Sequence, residues 1–101
     1  MLAIQVDQPG GPEVLKVADL PVPVCGPDQL LVELAFSGVN FIDIYQRQGI
    51  YPMPSPYVPG LEGSGIVVEV GSAVSGFALG DKVAWPSSLG SYSQVHAVNE
   101  T

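Results

Sequence analysis

The sequence predicts a mainly β domain, a small and partly open barrel of about six short strands with one or two short helices. Its 101 residues are enough for a single hydrophobic core. The 12 glycines and 10 prolines favour strands joined by turns over a helical bundle. Hydrophobic residues make up 47% and charged residues 13%, which excludes a disordered chain. We therefore expect one domain over residues 1–101.

The first strands are predicted from alternating apolar residues. Residues 2–6 and 14–18 alternate in this way, and the turn cluster at 8–12 separates them, so they should pair as a hairpin. Residues 20–29 hold three prolines and must form an extended loop, because proline cannot occupy a central strand. The strand signal is strongest at 29–38, where one face carries Leu30, Val32, Leu34 and Phe36.

At residues 40–48 the apolar period changes from that of a strand to that of a helix. Asn40 is the expected N-cap, and Asp43 and Arg47 have the i, i+4 spacing of an ion pair. One face of this short helix carries Phe41, Ile44, Tyr45 and Gln48.

The second half of the chain is predicted to contain three more strands, at 64–70, 82–86 and 91–98. Residues 49–60 hold four prolines and two tyrosines, and should form a loop long enough to be functional. Residues 72–82 form a turn region.

Charge and hydropathy exclude several classes of partner. The net charge of -7 repels nucleic acid and anionic membrane surfaces. No apolar run reaches the roughly 18 residues of a membrane span, and the first residues do not resemble a signal peptide, so we expect a cytoplasmic protein. The mean hydropathy of +0.33 is high for a small domain, which suggests apolar surface that another body covers.

The metal-ligating residues are too few for a zinc site within this chain. A structural zinc site usually takes four Cys or His ligands, and the chain offers only Cys25 and His96. A single cysteine also excludes an internal disulfide. No serine of the chain lies in the G-x-S-x-G nucleophile-elbow pattern, so nothing indicates a Ser–His–acid triad with His96.

The glycines at 60, 63, 65 and 71 do not form a dinucleotide-binding fingerprint, because they precede a β-branched run instead of opening a helix. They indicate close packing. Glu62 lies among them with no cation nearby in sequence, and a buried carboxylate needs a partner.

Residues 37–52 carry the most promising polar and aromatic groups, namely Asn40, Asp43, Tyr45 and Tyr51. Tyrosine rings suit stacking on a planar ligand. The same two tyrosines could instead plug the mouth of the barrel, and these residues alone leave both interpretations open.

Four ordered motifs resemble the NADPH-dependent quinone oxidoreductases, the zeta-crystallin-like branch of the medium-chain dehydrogenases. They read "GVNFIDIYQRQGIYP", "PYVPGLEGSGIVVEVGSAV", "ALGDKVAW" and "GSYSQVHAV". The resemblance implies a GroES-like fold and the substrate-side domain of an enzyme whose Rossmann domain, which binds NADPH, lies outside this chain. It also implies no zinc, because Leu61 and Asn40 stand where zinc-dependent relatives carry histidine and cysteine ligands. Glu62 would then meet a basic group of the second domain or a backbone donor of the barrel.

The resemblance further implies hydride transfer from NADPH to a small-molecule quinone or conjugated carbonyl. Asn40 and Phe41 would bind the cofactor, and Asp43, Tyr45 and Tyr51 would be catalytic. The full-length enzyme would be a homodimer, and the isolated chain would be inactive. Two alternatives stay open, an enoyl reductase of the same superfamily and a stand-alone GroES-like interaction module.

Overall fold

The computed structural model describes residues 1–100. Within that range it is mainly β, with one α-helix and one 3-10 turn, as predicted. The strands are β1 (Leu2–Val6), β2 (Leu15–Asp19), β3 (Gln29–Gly38), β4 (Glu62–Val70), β5 (Lys82–Trp85) and β6 (Val95–Asn99), the helix is α1 (Phe41–Gln48), and the 3-10 turn is Pro12–Val14.

The strands form two antiparallel sheets. β1 and β2 pair as the predicted hairpin, and the second sheet has the order β5-β4-β3-β6. The segment Tyr92–Gln94 joins them, because Ile4 N–H donates to the Tyr92 carbonyl at 2.9 Å and Leu34 N–H donates to the Gln94 carbonyl at 2.9 Å. Neither sheet closes on itself, so the barrel is partly open, as expected.

Two predicted strand boundaries were wrong. The last strand was predicted from 91 and begins at Val95, because the preceding segment divides its hydrogen bonds between β1 and β3 instead of following one ladder. β4 was predicted from 64 and begins at Glu62, so Gly63 and Gly65 lie inside a strand. Both glycines pair with β5, where small residues let the neighbouring strand approach.

Two small clusters form the core. The larger lies on the four-stranded sheet, and its buried members are Leu30, Val32, Val67 and Trp85. The smaller lies between the hairpin and the loop after α1, and consists of Val6, Val14 and Tyr57. Val6 and Tyr57 also exchange two backbone hydrogen bonds of 2.8 and 3.0 Å, which fix that loop to the barrel.

Phe36 leaves the face that alternation predicts for it. The β3–β4 register shifts between Leu34 and Phe36, where Ala35 has no partner on β4. Such a bulge interrupts the alternation of side chains. Phe36 is consequently exposed, while Leu30 and Val32 at the other end of β3 are buried.

Large apolar side chains remain on the surface, in line with the high mean hydropathy. They include Val17, Val24, Phe36, Val39, Phe41, Ile50, Tyr51 and Leu79. Val39, Phe41, Ile50 and Tyr51 belong to α1 or lie close to it in sequence, so part of this exposed apolar surface lies at the helix. Among the described residues, no helix has the length and apolar character that a bilayer crossing requires.

Val67→Ala should destabilise the chain by about 2 kcal/mol, because it removes two buried methyl groups and leaves a cavity. Val67 is 1% exposed. Val17→Ala is the matched control, since Val17 lies in a strand but is 71% exposed. The control should change the free energy of unfolding by less than about 0.5 kcal/mol. Urea unfolding measures both, and equal effects would contradict the assigned core.

Candidate functional site

α1 begins and ends with well-defined caps. Asn40 has extended backbone angles (φ -127°, ψ 158°), and the Asp43 carboxylate accepts its N–H at 3.0 Å. Gly49 follows the last turn in the left-handed region, at φ 83°. The predicted N-cap at Asn40 is therefore confirmed, and the helix faces are fixed from its first residue.

The helix turns a polar face inward. Asp43 is 5% exposed, and Gln46 and Arg47 are half-buried beside it. Arg47 Nε donates to the Gly10 carbonyl at 3.2 Å, and Gly10 N–H donates to the Arg47 carbonyl at 2.9 Å. These bonds attach the helix to the turn after β1.

The predicted ion pair between Asp43 and Arg47 was wrong, because no salt bridge joins the two among residues 1–100. Arg47 binds a carbonyl instead, and the Tyr92 hydroxyl donates to Asp43 Oδ2 at 2.6 Å. Burial raises the pKa of Tyr92, and the hydrogen bond to Asp43 and the charge of that carboxylate raise it further. The Tyr92 hydroxyl is thus a firm donor at neutral pH.

The position of Tyr92 is set by its backbone hydrogen bonds and by the contact of its ring with Gly60. Its N–H donates to the Pro59 carbonyl at 2.9 Å, and its carbonyl accepts from Ile4. A side chain at Gly60 would overlap the Tyr92 ring, and Gly60 also has a positive φ of 95°. Gly60 is therefore required both by the turn and by the tyrosine ring.

We call the opposite side of the helix the outer face, formed by Phe41, Ile42, Tyr45, Ile50 and Tyr51. Phe41 is 78% exposed. Tyr45 and Tyr51 pack edge to face, with ring centroids 5.9 Å apart and planes at 84°. They are 41% and 51% exposed, so neither ring is buried in the barrel mouth. Both remain available to a planar ligand.

The structure therefore brings four of the five predicted site residues to one exposed region. Asn40, Phe41, Tyr45 and Tyr51 are all exposed there. Asp43 lies on the inner face of the same helix. The assignment of these residues to catalysis or to cofactor binding stays a prediction.

Glu62 is exposed within this domain, and its pairing with a group of a second domain stays a prediction. Its carboxylate lies against Gly38, at the end of the strand that leads into Asn40. It lines an open cleft of about 600 Å³, together with Phe36 and Trp85. Among the described residues, the buried carboxylate is Asp43.

A second polar cluster lies around Trp85. Trp85 Nε1–H donates to Ser91 Oγ at 2.8 Å, and a hydrogen bond of 2.8 Å joins Ser88 Oγ to His96 Nε2. Burial lowers the pKa of His96, so the imidazole is neutral near pH 7. Within the described range no carboxylate bonds to His96, and the pair does not complete a Ser–His–acid triad.

Metal-ligating side chains do not converge. Across residues 1–100 there is no group of three or more His, Cys, Asp or Glu that could hold a metal ion. Cys25 Sγ bonds instead to the Gln29 carbonyl at 3.2 Å, and burial is the main cause of the raised pKa of its thiol.

Sequence reasoning missed the hydrogen bond between Tyr92 and Asp43. Tyr92 belongs to the motif "GSYSQVHAV", but nothing in that motif reveals that its hydroxyl meets a carboxylate 49 positions earlier. It also missed three buried polar atoms on the inner side of α1, which have no hydrogen-bond partner in the described chain: Asp43 Oδ1, Gln46 Oε1 and Tyr57 OH.

Comparison with known families gives one match that covers most of the chain. The family model of the alcohol dehydrogenase GroES-like domain matches residues 26–100.

Two similar proteins are named as quinone oxidoreductases. A probable quinone oxidoreductase of Schizosaccharomyces pombe is 39% identical over 101 residues, covering 99% of this chain and 31% of its own length. The quinone oxidoreductase of Pseudomonas aeruginosa is 44% identical over 99 residues, covering 96% of this chain and 30% of its own length. The chain thus spans about three tenths of the length of these curated relatives.

Solved structures of quinone oxidoreductases have the same fold over nearly the whole of this chain. Escherichia coli quinone oxidoreductase, crystallised in complex with NADPH, superposes with a TM-score of 0.95 at 39% identity. The match covers 98% of this chain and 31% of that one. The quinone oxidoreductase of Pseudomonas syringae superposes with a TM-score of 0.94 at 44% identity, covering 98% and 31%.

The stability of the fold should fall as the pH drops below about 6.5, because the pKa of His96 is lower in the folded state than the 6.5 of the free side chain. The unfolded chain therefore binds a proton before the folded chain does. Folding loses up to about 1.4 kcal/mol per pH unit until the folded His96 is protonated as well. His96→Gln should flatten the curve. Urea unfolding at a series of pH values measures it, and parallel curves for the two proteins would contradict the assignment.

Proposed function

Because the chain belongs to the alcohol dehydrogenase GroES-like domain family, we propose that it is the substrate-side domain of a zinc-independent NADPH:quinone oxidoreductase. The observation that carries this proposal is the identity of 39–44% with quinone oxidoreductases over nearly the whole chain. Fold alone would be insufficient, since one fold serves many functions.

We place the cofactor-binding machinery largely on a second domain. The relatives are about three times longer than this chain, which leaves room for a Rossmann domain that would bind the pyrophosphate of NADPH. An exposed apolar patch is typical of a surface that packs against another body. The outer face of α1 would supply part of that contact. Without the second domain the chain would bind NADPH too weakly to turn over.

The residues on the outer face suit the nicotinamide and substrate end of such a site. NADPH, when bound, supplies the hydride. The Asn40 carboxamide and the Phe41 ring, both exposed at the start of α1, would contact the cofactor there. The crossed rings of Tyr45 and Tyr51 would form an aromatic wall beside a planar quinone.

The carbonyl oxygen of the substrate gains negative charge as it accepts the hydride, and a hydrogen-bond donor must meet it. Zinc would not fill this role, because Leu61 offers no donor atom and Asn40 carries a carboxamide where a metal ligand would be required. The hydroxyl of Tyr45 or Tyr51, or a water molecule beside them, would then donate the hydrogen bond.

The first test is enzymatic and uses the natural full-length protein that contains this chain. The protein should oxidise NADPH with 1,4-benzoquinone as the acceptor, and the loss of nicotinamide absorbance measures the rate. Of Tyr45→Phe and Tyr51→Phe, the variant that removes the donating hydroxyl should lower kcat about a hundredfold. Each variant keeps the ring, so packing between the two aromatic side chains is preserved.

Tyr57→Phe is the matched control, since it removes a tyrosine hydroxyl that is buried on the inner side of the helix. Its kcat should equal that of the unmodified protein. If neither Tyr45→Phe nor Tyr51→Phe changes kcat, the tyrosine role is wrong. If NADPH is oxidised with an enone but never with a quinone, the substrate assignment is wrong, and if it is never oxidised, the reductase assignment fails.

Zinc independence has its own test. Dialysis of the full-length protein against a chelator should leave kcat within about twofold of the untreated value, because no step requires a bound metal. Metal analysis should find zinc well below one atom per chain. Loss of activity on chelation, with recovery on adding zinc, would contradict the proposal.

A further inference from the structure

The start of α1 depends on a single carboxylate oxygen. Asp43 Oδ2 accepts two hydrogen bonds, one from the Asn40 N–H at 3.0 Å and one from the Tyr92 hydroxyl at 2.6 Å. The other oxygen, Oδ1, is buried and has no partner among residues 1–100. Losing the hydroxyl would leave a nearly buried carboxylate with one backbone donor.

We propose that Tyr92 is a positioning residue, which fixes Asp43 and through it the first turn of α1, so that Asn40 and Phe41 hold their places on the outer face. The part of this inference that concerns the cofactor rests on the proposed function. The part that concerns the helix rests on the contacts alone.

Tyr92 can fix another residue because it is itself fixed from three sides. Its N–H and its carbonyl both bond to backbone, to Pro59 and Ile4 respectively. Its ring lies over Gly60, where any side chain would displace it. The hydroxyl therefore has little freedom, and its place is set by the junction of the two sheets.

Asp43 connects Tyr92 on the inner side of the helix to the backbone of Asn40 at the helix start. Its side chain lies on the inner face, and the N–H that it holds belongs to Asn40, whose side chain is exposed. Phe41 follows as the first helical residue and is exposed on the outer face. An inner hydrogen bond thus sets the position of outer groups. Small errors in the placement of reacting groups slow a reaction far more than they weaken binding.

Tyr92→Phe tests the inference in the natural full-length protein, with Tyr57→Phe as the matched control. Both remove one tyrosine hydroxyl on the inner side of the helix, but only that of Tyr92 has a hydrogen-bond partner in the described chain. Hydrogen exchange followed by mass spectrometry should show about tenfold faster deuterium uptake in peptides covering 37–45 for Tyr92→Phe. Uptake in the control should match the unmodified protein, and peptides from residues 29–36 and from β6 should be unchanged in both.

A kinetic measurement separates positioning from plain structural support. Tyr92→Phe should lower kcat about tenfold or more, while the Kd for NADPH, from fluorescence titration, stays within about twofold. Asp43→Asn keeps the side-chain shape and weakens the acceptor, so it should reproduce both effects. It replaces Tyr92→Phe if that variant does not fold.

Two results would overturn the inference. One is uptake over 37–45 that is equal in Tyr92→Phe and Tyr57→Phe. The other is accelerated uptake with an unchanged kcat, which would make the hydroxyl a structural support only. If the unmodified protein shows no NADPH-dependent reduction at all, the proposed function fails, while the uptake comparison still decides whether Tyr92 fixes the helix.

Discussion

The segment Tyr92–Gln94 is the constraint on which this domain depends. Its backbone bonds to β1 on one side and to β3 on the other, so it is the place where the hairpin and the four-stranded sheet become one barrel. The same segment carries the tyrosine that reaches Asp43. A single short stretch of chain therefore sets both the relation of the sheets and the attachment of the helix.

The helix uses this attachment in an unusual way. Most surface helices bury an apolar stripe and expose charge, whereas α1 buries Asp43 and exposes Phe41 and Tyr45. Burying a carboxylate costs free energy, which specific hydrogen bonds must offset. The Asn40 N–H and the Tyr92 hydroxyl make those bonds. The aromatic side chains are thereby released from core packing and remain available for binding.

Much of the fold could be predicted from the sequence. β1, β3 and the N-cap of α1 were predicted at the residues where they occur, because alternation and capping chemistry are local signals. The direction of the helix faces could not be predicted in the same way. Periodicity tells which residues share a face, and only the tertiary structure tells which face is buried.

The errors of the sequence reasoning share this cause. Asp43, which was assigned to an ion pair with Arg47, is buried and instead accepts hydrogen bonds from the Asn40 N–H and the Tyr92 hydroxyl. The start of the last strand was misplaced because residues 92–94 serve two strands at once. Each case involves partners far apart in sequence, which composition and spacing do not reveal.

The separation of the two faces of α1 has an evolutionary consequence. Mutations in enzymes often trade stability for new activity, because the residues that bind substrate also support the fold. In this domain the inner face carries the anchoring bonds, whereas Tyr45 and Tyr51 on the outer face are partly exposed. Substitutions on the outer face should therefore cost less folding free energy than substitutions of the anchoring residues. Under the proposed function, this property would make the scaffold evolvable, and the outer face would be the region to randomise when new specificities are selected.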